Sequence, residues 1–292
     1  MKYRLRCLHI LNKLDYISWI CDARTITAFV LLAIFLTENT SNLVPYAQGF
    51  GLKFSPFLFP FVTSTRIVRL FLYLVLVFLI CDVGKPKEID MFVQLRVSPG
   101  LIDAGRVVAL MARILTFWLF VLCYPILCYL PHIEVTNRWG AVLGNIARNE
   151  KYEILGEFAI RVSAKIVDTY TPVLAHCLLA VTCVLSSCLL GLIILIFQKS
   201  THVEWGILLA GVFVLLDFWV ETDIIALSAF LPFSFCTYSN LNYLASQSSR
   251  GKIGIVQCIL FLLLGTLLLL VLYLRSSKIA TRQTRRESHD KN

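Results

Sequence analysis

Charged side chains are scarce in this sequence: Asp, Glu, Lys and Arg together make up only 15% of its 292 residues. Hydrophobic residues make up 58%, and the mean hydropathy is +0.77, whereas soluble domains contain about 45–50% apolar residues. Several apolar runs reach the roughly 20 residues that a helix needs to cross a bilayer. The composition therefore excludes an ordinary soluble domain and predicts an all-α polytopic membrane protein.

Motifs of catalysis and metal binding are missing as well. The sequence contains no GxxxxGK[ST] phosphate loop, no GxSxG turn and no HExxH pair. Its ten cysteines include no CxxC pair, and most fall in predicted spans, where cysteine acts as a small apolar residue. His176 is the one histidine expected inside a span, and a lone histidine there is more often a helix–helix hydrogen-bond partner than a ligand. We therefore predict no catalytic residues, no metal site and no cofactor bound by this chain.

Positive charge is concentrated in a few loops and in both terminal segments, with a net charge of +9. The positive-inside rule accounts for this distribution, so we predict no nucleic-acid binding. It also places both termini in the cytoplasm and the protein in the cell (plasma) membrane. Residues 25–274 are expected to form the transmembrane domain, and residues 275–292 a basic cytoplasmic tail. Six membrane-spanning helices are predicted, at about residues 25–44, 66–83, 106–130, 172–197, 205–220 and 253–274.

The segments that flank these spans have distinct compositions. Residues 1–24 combine an apolar stripe at helical spacing with five basic residues, which predicts a cytoplasmic amphipathic helix; the alternative is an N-terminal extension of the first span. Mixed charge at residues 131–170 predicts an extracellular insert, helical from Asn149 onward. Proline and aromatic residues at 46–61 and 221–250 predict broken outer elements that are interfacial or re-entrant.

The loop of residues 84–106, between the second and third predicted spans, has features of a short helix. Pro86 suits the first turn of a helix, where its missing N–H group has no partner to lose. Glu88 lies near the positive N-terminal end of that helix, and Arg96 lies near the negative C-terminal end. This pattern predicts a capped helix over residues 86–98 that presents a surface to a partner. An ordinary juxtamembrane loop is the alternative.

Ionisable residues inside predicted spans are costly to bury, and they usually face a cavity or a partner. Arg113 lies in the third span and Asp217 in the fifth, whereas Arg66 and Arg69 begin the second. Pairing Asp217 with an arginine inside the bundle would neutralise both charges. The sequence leaves both a structural and a functional role open for Asp217.

The order of these features resembles the membrane (permease) subunit of a bacterial type-2 ATP-binding-cassette exporter. At the level of residues, the resemblance lies in 52–61 (LKFSPFLFPF), 78–82 (FLICD) and 93–96 (VQLR). It implies that residues 86–98 form the coupling helix that docks on an ATPase subunit, through Glu88, Ile89, Phe92, Val93, Leu95 and Arg96. It implies an extracellular gate framed by the two outer elements, at Phe57, Phe59, Pro60, Leu231, Pro232 and Phe233. Arg113 and Asp217 would lie in the pathway or the bundle interior.

The resemblance also implies partners. ATP and Mg²⁺ would bind a separate cytosolic nucleotide-binding subunit, because this chain has no phosphate loop. A second permease subunit, in a homodimer or a heterodimer, would complete the pathway. The exported substrate would be amphipathic or hydrophobic, such as a peptide or a drug. Two other classes stay open: an ion-coupled secondary transporter or channel that uses Asp217 as its intramembrane carboxylate, and a non-transporting immunity or scaffold protein.

Overall fold

A computed structural model of the chain describes residues 12–41, 43–49, 51–53, 55–85, 98–134, 136–148, 162–199, 203–223, 236 and 255–289. These residues form helices and connecting turns, and there is no β-strand among them. Within the described ranges, four helical segments are long and apolar enough to cross a membrane: Ala23–Gly49, Pro99–Cys128, Pro172–Lys199 and Gln257–Ser276. The predicted all-helical class is confirmed, and the long apolar helices indicate a membrane protein.

The helices of the first half are short or bent. Helix α1 covers residues 12–20. Asp22 caps the next helix, because its side chain accepts a hydrogen bond from the Arg24 N–H at 3.5 Å. The following four helices are α2 (Ala23–Thr40), α3 (Leu43–Gly49), α4 (Phe59–Ser64) and α5 (Arg66–Ile80).

The second half contains the longest helices. Prolines begin two of them, Pro99 and Pro172, in the first turn, where the missing N–H group leaves no bond unmade. The helices are α6 (Pro99–Cys128), α7 (Gly140–Arg148), α8 (Ala164–Thr169), α9 (Pro172–Lys199), α10 (Val203–Asp223) and α11 (Ile255–His289).

Helix α9 is the centre of the bundle and packs against α5, α6, α10 and α11. Small side chains allow this close packing, as is usual between membrane helices. A Cβ atom on Gly191 would lie 2.6 Å from Leu110 Cδ1 of α6, and one on Gly206 would lie 3.2 Å from the carbonyl oxygen of Ile194. Both glycines therefore set the distance between α9 and a neighbouring helix.

Helix α5 is shorter than the second predicted span. It has 15 residues, which is about 22 Å at the α-helical rise, against roughly 30 Å for the hydrocarbon core. Thr65 is extended and separates it from α4, so residues 59–80 form a bent helical segment. Helix α10, of 21 residues, corresponds to the fifth predicted span. Whether α5 and α10 also cross the membrane, and hence the count of six spans, stays a prediction.

Helix α4 lies in the hydrophobic core, although the sequence placed it in an outer, broken element. Phe59, Pro60, Phe61 and Val62 are all buried, and α4 packs against both α5 and α9. This burial is against other helices of the protein, and the choice between a re-entrant and an interfacial arrangement stays a prediction. The sequence pattern could not separate the two, because proline and aromatic residues suit both settings.

The predicted insert at 131–170 is docked on this core. Trp139 Nε1 donates a hydrogen bond to the Tyr170 carbonyl at 2.8 Å, and the Trp139 ring lies 5.1 Å from that of Phe61. The insert contains α7 and α8, whereas most of the helix predicted from Asn149 onward lies outside the described residues.

Two predicted boundaries differ from those in the structure. Helix α6 begins at Pro99 and not near residue 106, so the second part of the predicted loop is already helical. Helix α11 continues to His289 and includes most of the predicted tail. Hydropathy marks where a helix enters hydrocarbon and says little about where its backbone hydrogen bonds end.

Candidate functional site

The ends of the predicted coupling loop are described, and the loop itself is not. The described chain stops at Lys85 and resumes at Ser98. The six predicted coupling residues therefore lie outside it: Glu88, Ile89, Phe92, Val93, Leu95 and Arg96. The same holds for three of the predicted gate residues, Leu231, Pro232 and Phe233.

A cluster of two arginines and two aspartates lies beside the first end of this loop. We call Asp15, Arg24, Asp82 and Arg113 the basal cluster. Arg113 of α6 is 2% exposed, and it donates to Asp82 Oδ1 at 2.7 Å and to Asp15 Oδ2 at 3.3 Å. A buried guanidinium requires such partners, because the loss of hydration costs several kcal/mol per ion. The cluster therefore joins α1, α6 and the segment that leads into the loop.

Helix α1 is held in place by a second set of contacts. Trp19 is buried, and its Nε1 donates to the Leu79 carbonyl at 3.2 Å. The Arg113 guanidinium carbon lies 5.2 Å from the centroid of the Trp19 ring, a cation–π distance. Leu14 and Ile17 are exposed on the same helix. The described part of the N-terminal segment thus has one face on the bundle and one apolar face outward, as expected of an interfacial helix.

A second cluster surrounds Asp103 on the other side of the loop. Lys199 Nζ lies 2.6 Å from Asp103 Oδ2, and the Tyr273 hydroxyl donates to Oδ1 at 3.3 Å. Arg106 approaches the same carboxylate at 3.9 Å. This Asp103 cluster joins α6, α9 and α11, and the carboxylate is only 7% exposed.

The C-terminal end of α9 touches the chain on both sides of the loop. Gln198 Nε2 donates to the Cys81 carbonyl, which precedes the loop, and Lys199 binds Asp103, which follows it. Gly84 packs directly on Gln198, since a Cβ atom there would lie 2.1 Å from Gln198 Oε1. The end of α9 is thus a bridge between the two ends of the loop.

Replacing Gly84 by alanine should break this bridge. The new methyl group would force Gln198 away from the Cys81 carbonyl, with a cost of about 1–3 kcal/mol typical of overpacking. Thermal unfolding of the detergent-solubilised protein measures the effect. Adding Gln198→Ala removes the obstructing atoms and should recover part of the loss. Gly144→Ala is the matched control, because nothing lies within 4 Å of its Cβ position; equal midpoints for the two glycine variants would show that Gly84 is not a close-contact position.

Asp217 forms an ion pair with Arg69 in the bundle interior. Arg69 Nε donates to Asp217 Oδ2 at 3.1 Å, and the two side chains are 2% and 5% exposed. The structure therefore shows the pairing of Asp217 with an arginine that the sequence suggested, and identifies the partner. Other polar side chains are hydrogen-bonded in the bundle interior close to this pair: the Tyr73 hydroxyl lies 2.6 Å from Ser186 Oγ.

The described gate candidates pack around His176. The Phe59 ring lies 5.3 Å from the His176 ring, and the Phe57 ring lies 5.6 Å from it. Pro60 is buried in the first turn of α4. His176 Nδ1 is buried without a hydrogen-bond partner in the described part of the chain, so the helix–helix hydrogen bond expected of this histidine is not seen there. Phe59 and Pro60 are buried and Phe57 is partly buried against the core, and the role of all three in a gate stays a prediction.

Sequence reasoning named Arg113 but missed the other residues of the two clusters. Asp15, Asp82, Asp103 and Lys199 were not singled out. Each lies at or near the end of a helix, where a charge is commonly assigned to the membrane–water interface. One sequence feature could have indicated the contact between Asp103 and Lys199: they are charges of opposite sign near the ends of two long apolar helices.

Comparisons of the chain with protein-family models, with curated proteins and with solved structures found no match. Among the described residues, no group of three His, Cys, Asp or Glu side chains is arranged to hold a metal ion. The chemistry of the site is thus that of ion pairs and hydrogen bonds that hold helices together around a loop.

Proposed function

We propose that this chain is the permease subunit of a type-2 ATP-binding-cassette exporter, driven by a separate cytosolic ATPase and paired with a second permease. The observation that supports this most is the anchoring of the segments on both sides of the loop at residues 86–97. The basal cluster holds its first end, and the Asp103 cluster lies just beyond its second end. Through these contacts the loop is connected to α1, α5, α6, α9 and α11.

Anchoring of this kind suits a loop that transmits movement. If a partner pushes on a loop that is loosely attached, the displacement is lost in the loop. Here charge-assisted hydrogen bonds fix the first end of the loop and the start of α6 beyond its second end, and such bonds are about twice as strong as neutral ones. A displacement of the loop would therefore be passed to the helices at both of its ends.

In the proposed mechanism the ATPase subunits close on ATP, and the loop carries that motion into the membrane. The two permease halves then rotate and open the pathway to the outside. The Arg69–Asp217 pair holds α5 to α10, so these two helices would move as one body within each half. The exported substrate would be amphipathic or hydrophobic.

The ion-coupled alternative has less support from the geometry. A carrier carboxylate must exchange its ion or proton during the cycle. Protonation of Asp217 would remove the negative charge that lies 3.1 Å from the buried Arg69 guanidinium, and breaking a buried pair costs about 3–5 kcal/mol. Arg69 thus makes Asp217 poorly suited to that role.

Phe92→Ala tests the proposed docking surface. Interface energy is concentrated in a few buried anchors, and truncating an aromatic anchor should weaken ATPase binding by about tenfold or more. The experiment co-produces this chain with a cytosolic ATPase that carries a GxxxxGK[ST] loop and measures co-purification, ATP hydrolysis and transport on one preparation.

Leu264→Ala is the matched control, because that side chain is 64% exposed on α11 and points away from the bundle. It should leave ATPase binding unchanged. If no such ATPase co-purifies with the wild-type chain, the exporter proposal fails. If the ATPase binds and Phe92→Ala binds it equally well, only the position of the docking surface is wrong.

A further inference from the structure

Helices α2 and α5 enclose an apolar groove on the outer surface of the bundle. It has a volume of about 450 Å³ and is lined by Arg24, Thr27 and apolar side chains that include Leu31, Leu74 and Val75. This is within the roughly 300–1,000 Å³ of small-molecule sites. Leu31 and Leu74 are 54% and 40% exposed, so the groove is open to whatever surrounds the bundle.

The two ends of the groove differ in chemistry. At one end Phe71 stacks on Phe35, with ring centroids 4.0 Å apart. At the other end Arg24 lies over the Phe78 ring at 4.4 Å and donates to the Phe78 carbonyl. A guanidinium therefore closes one end of an otherwise apolar trough.

The charge of Arg24 is only partly balanced by its neighbours. Its nearest carboxylate, Asp82, lies 3.8 Å away and is already bonded to Arg113 at 2.7 Å. The Arg24 side chain is also 30% exposed. A basic side chain at the end of an apolar surface, near the end of a membrane helix, is well placed to bind the headgroup of an anionic lipid.

We infer that this groove is a binding site for an anionic phospholipid. The acyl chain lies along Leu31 and Leu74, and the phosphate binds Arg24 by charge-assisted hydrogen bonds. The headgroup of a zwitterionic lipid carries a positive charge close to its phosphate, so it would bind the Arg24 guanidinium more weakly. Phosphate on Arg24 would compete with Asp82, leaving that carboxylate to Arg113, so a bound lipid would alter the basal cluster beside the loop. This site does not depend on the exporter proposal.

Native mass spectrometry of the protein released from micelles with equal phosphatidylglycerol and phosphatidylcholine tests the site. The wild-type chain should retain phosphatidylglycerol in preference. Arg24→Gln should lower that preference about fivefold, the effect of one basic residue at an anionic surface. Lys85→Gln removes the same charge from an exposed side chain at the same end of the bundle, and should leave the preference unchanged.

A second pair of variants tests the groove without altering charge. Leu31→Trp fills it and should reduce retention of phosphatidylglycerol. Val30→Trp changes the neighbouring residue, which is 52% exposed and does not line the groove, and should have no such effect. Equal preference of the wild type for both lipids would overturn the site. So would equal losses in Arg24→Gln and Lys85→Gln, which would indicate general surface attraction, or full retention in Leu31→Trp.

Discussion

Replacement of Arg113 by methionine is expected to destabilise the protein by about 2–3 kcal/mol, because it removes charged hydrogen bonds to two carboxylates that are themselves 30% and 23% exposed and can be partly rehydrated. Methionine has a similar length and no charge, so Asp82 and Asp15 would lose the guanidinium that lies 2.7 and 3.3 Å from them. Helix α1 would lose the cation that faces Trp19. Chemical or thermal unfolding in detergent, followed by tryptophan fluorescence, measures the change.

Arg148→Met is the control for this experiment. Arg148 also pairs with an aspartate, Asp168 at 3.4 Å, but its side chain is 72% exposed. An exposed pair contributes only about 0–1 kcal/mol, so the control should unfold almost like the wild type. Arg113→Lys should recover only part of the loss, because an ammonium group lacks the planar fork that reaches two carboxylates. If Arg113→Met unfolds like the control, the basal cluster does not hold the bundle together.

Breaking the Arg69–Asp217 pair should have a larger effect, because both of its side chains are almost fully buried. Asp217→Asn leaves Arg69 buried next to a neutral amide, and Arg69→Met leaves the carboxylate without its cation; each should cost about 3–5 kcal/mol. The double variant Arg69→Met with Asp217→Leu removes both charges. It should be much more stable than the sum of the single changes predicts, since the two residues are in direct contact.

The same double variant decides between the two roles left open for Asp217. If transport returns together with stability, the pair is structural and joins α5 to α10. If the double variant is stable and does not transport, the carboxylate has a function beyond holding the helices. If the stability loss of the double variant equals the sum of the losses of the two single variants, the two residues do not interact in the folded protein.

The sequence by itself determined the class of the protein and the approximate places of its long apolar helices. The fourth predicted span, residues 172–197, nearly coincides with α9, which covers Pro172–Lys199. Run length and hydropathy are properties of the chain that need no knowledge of its neighbours. Helix α4 was harder to place, because proline and aromatic residues are equally typical of an interface and of a buried, re-entrant segment. The coupling residues between 86 and 97 stay predictions.

Only the tertiary structure decided which charges meet. Arg113 binds Asp82 and Asp15, which are 31 and 98 positions away, and Asp217 binds Arg69, which is 148 positions away. The choice depends on how the helices are ordered and rotated in the bundle. Helix α9 is mostly apolar and its few polar residues form no continuous stripe, so its sequence does not show which face meets which neighbour. Hydropathy is a sum along one helix, whereas an ion pair depends on two helix faces that only packing brings together.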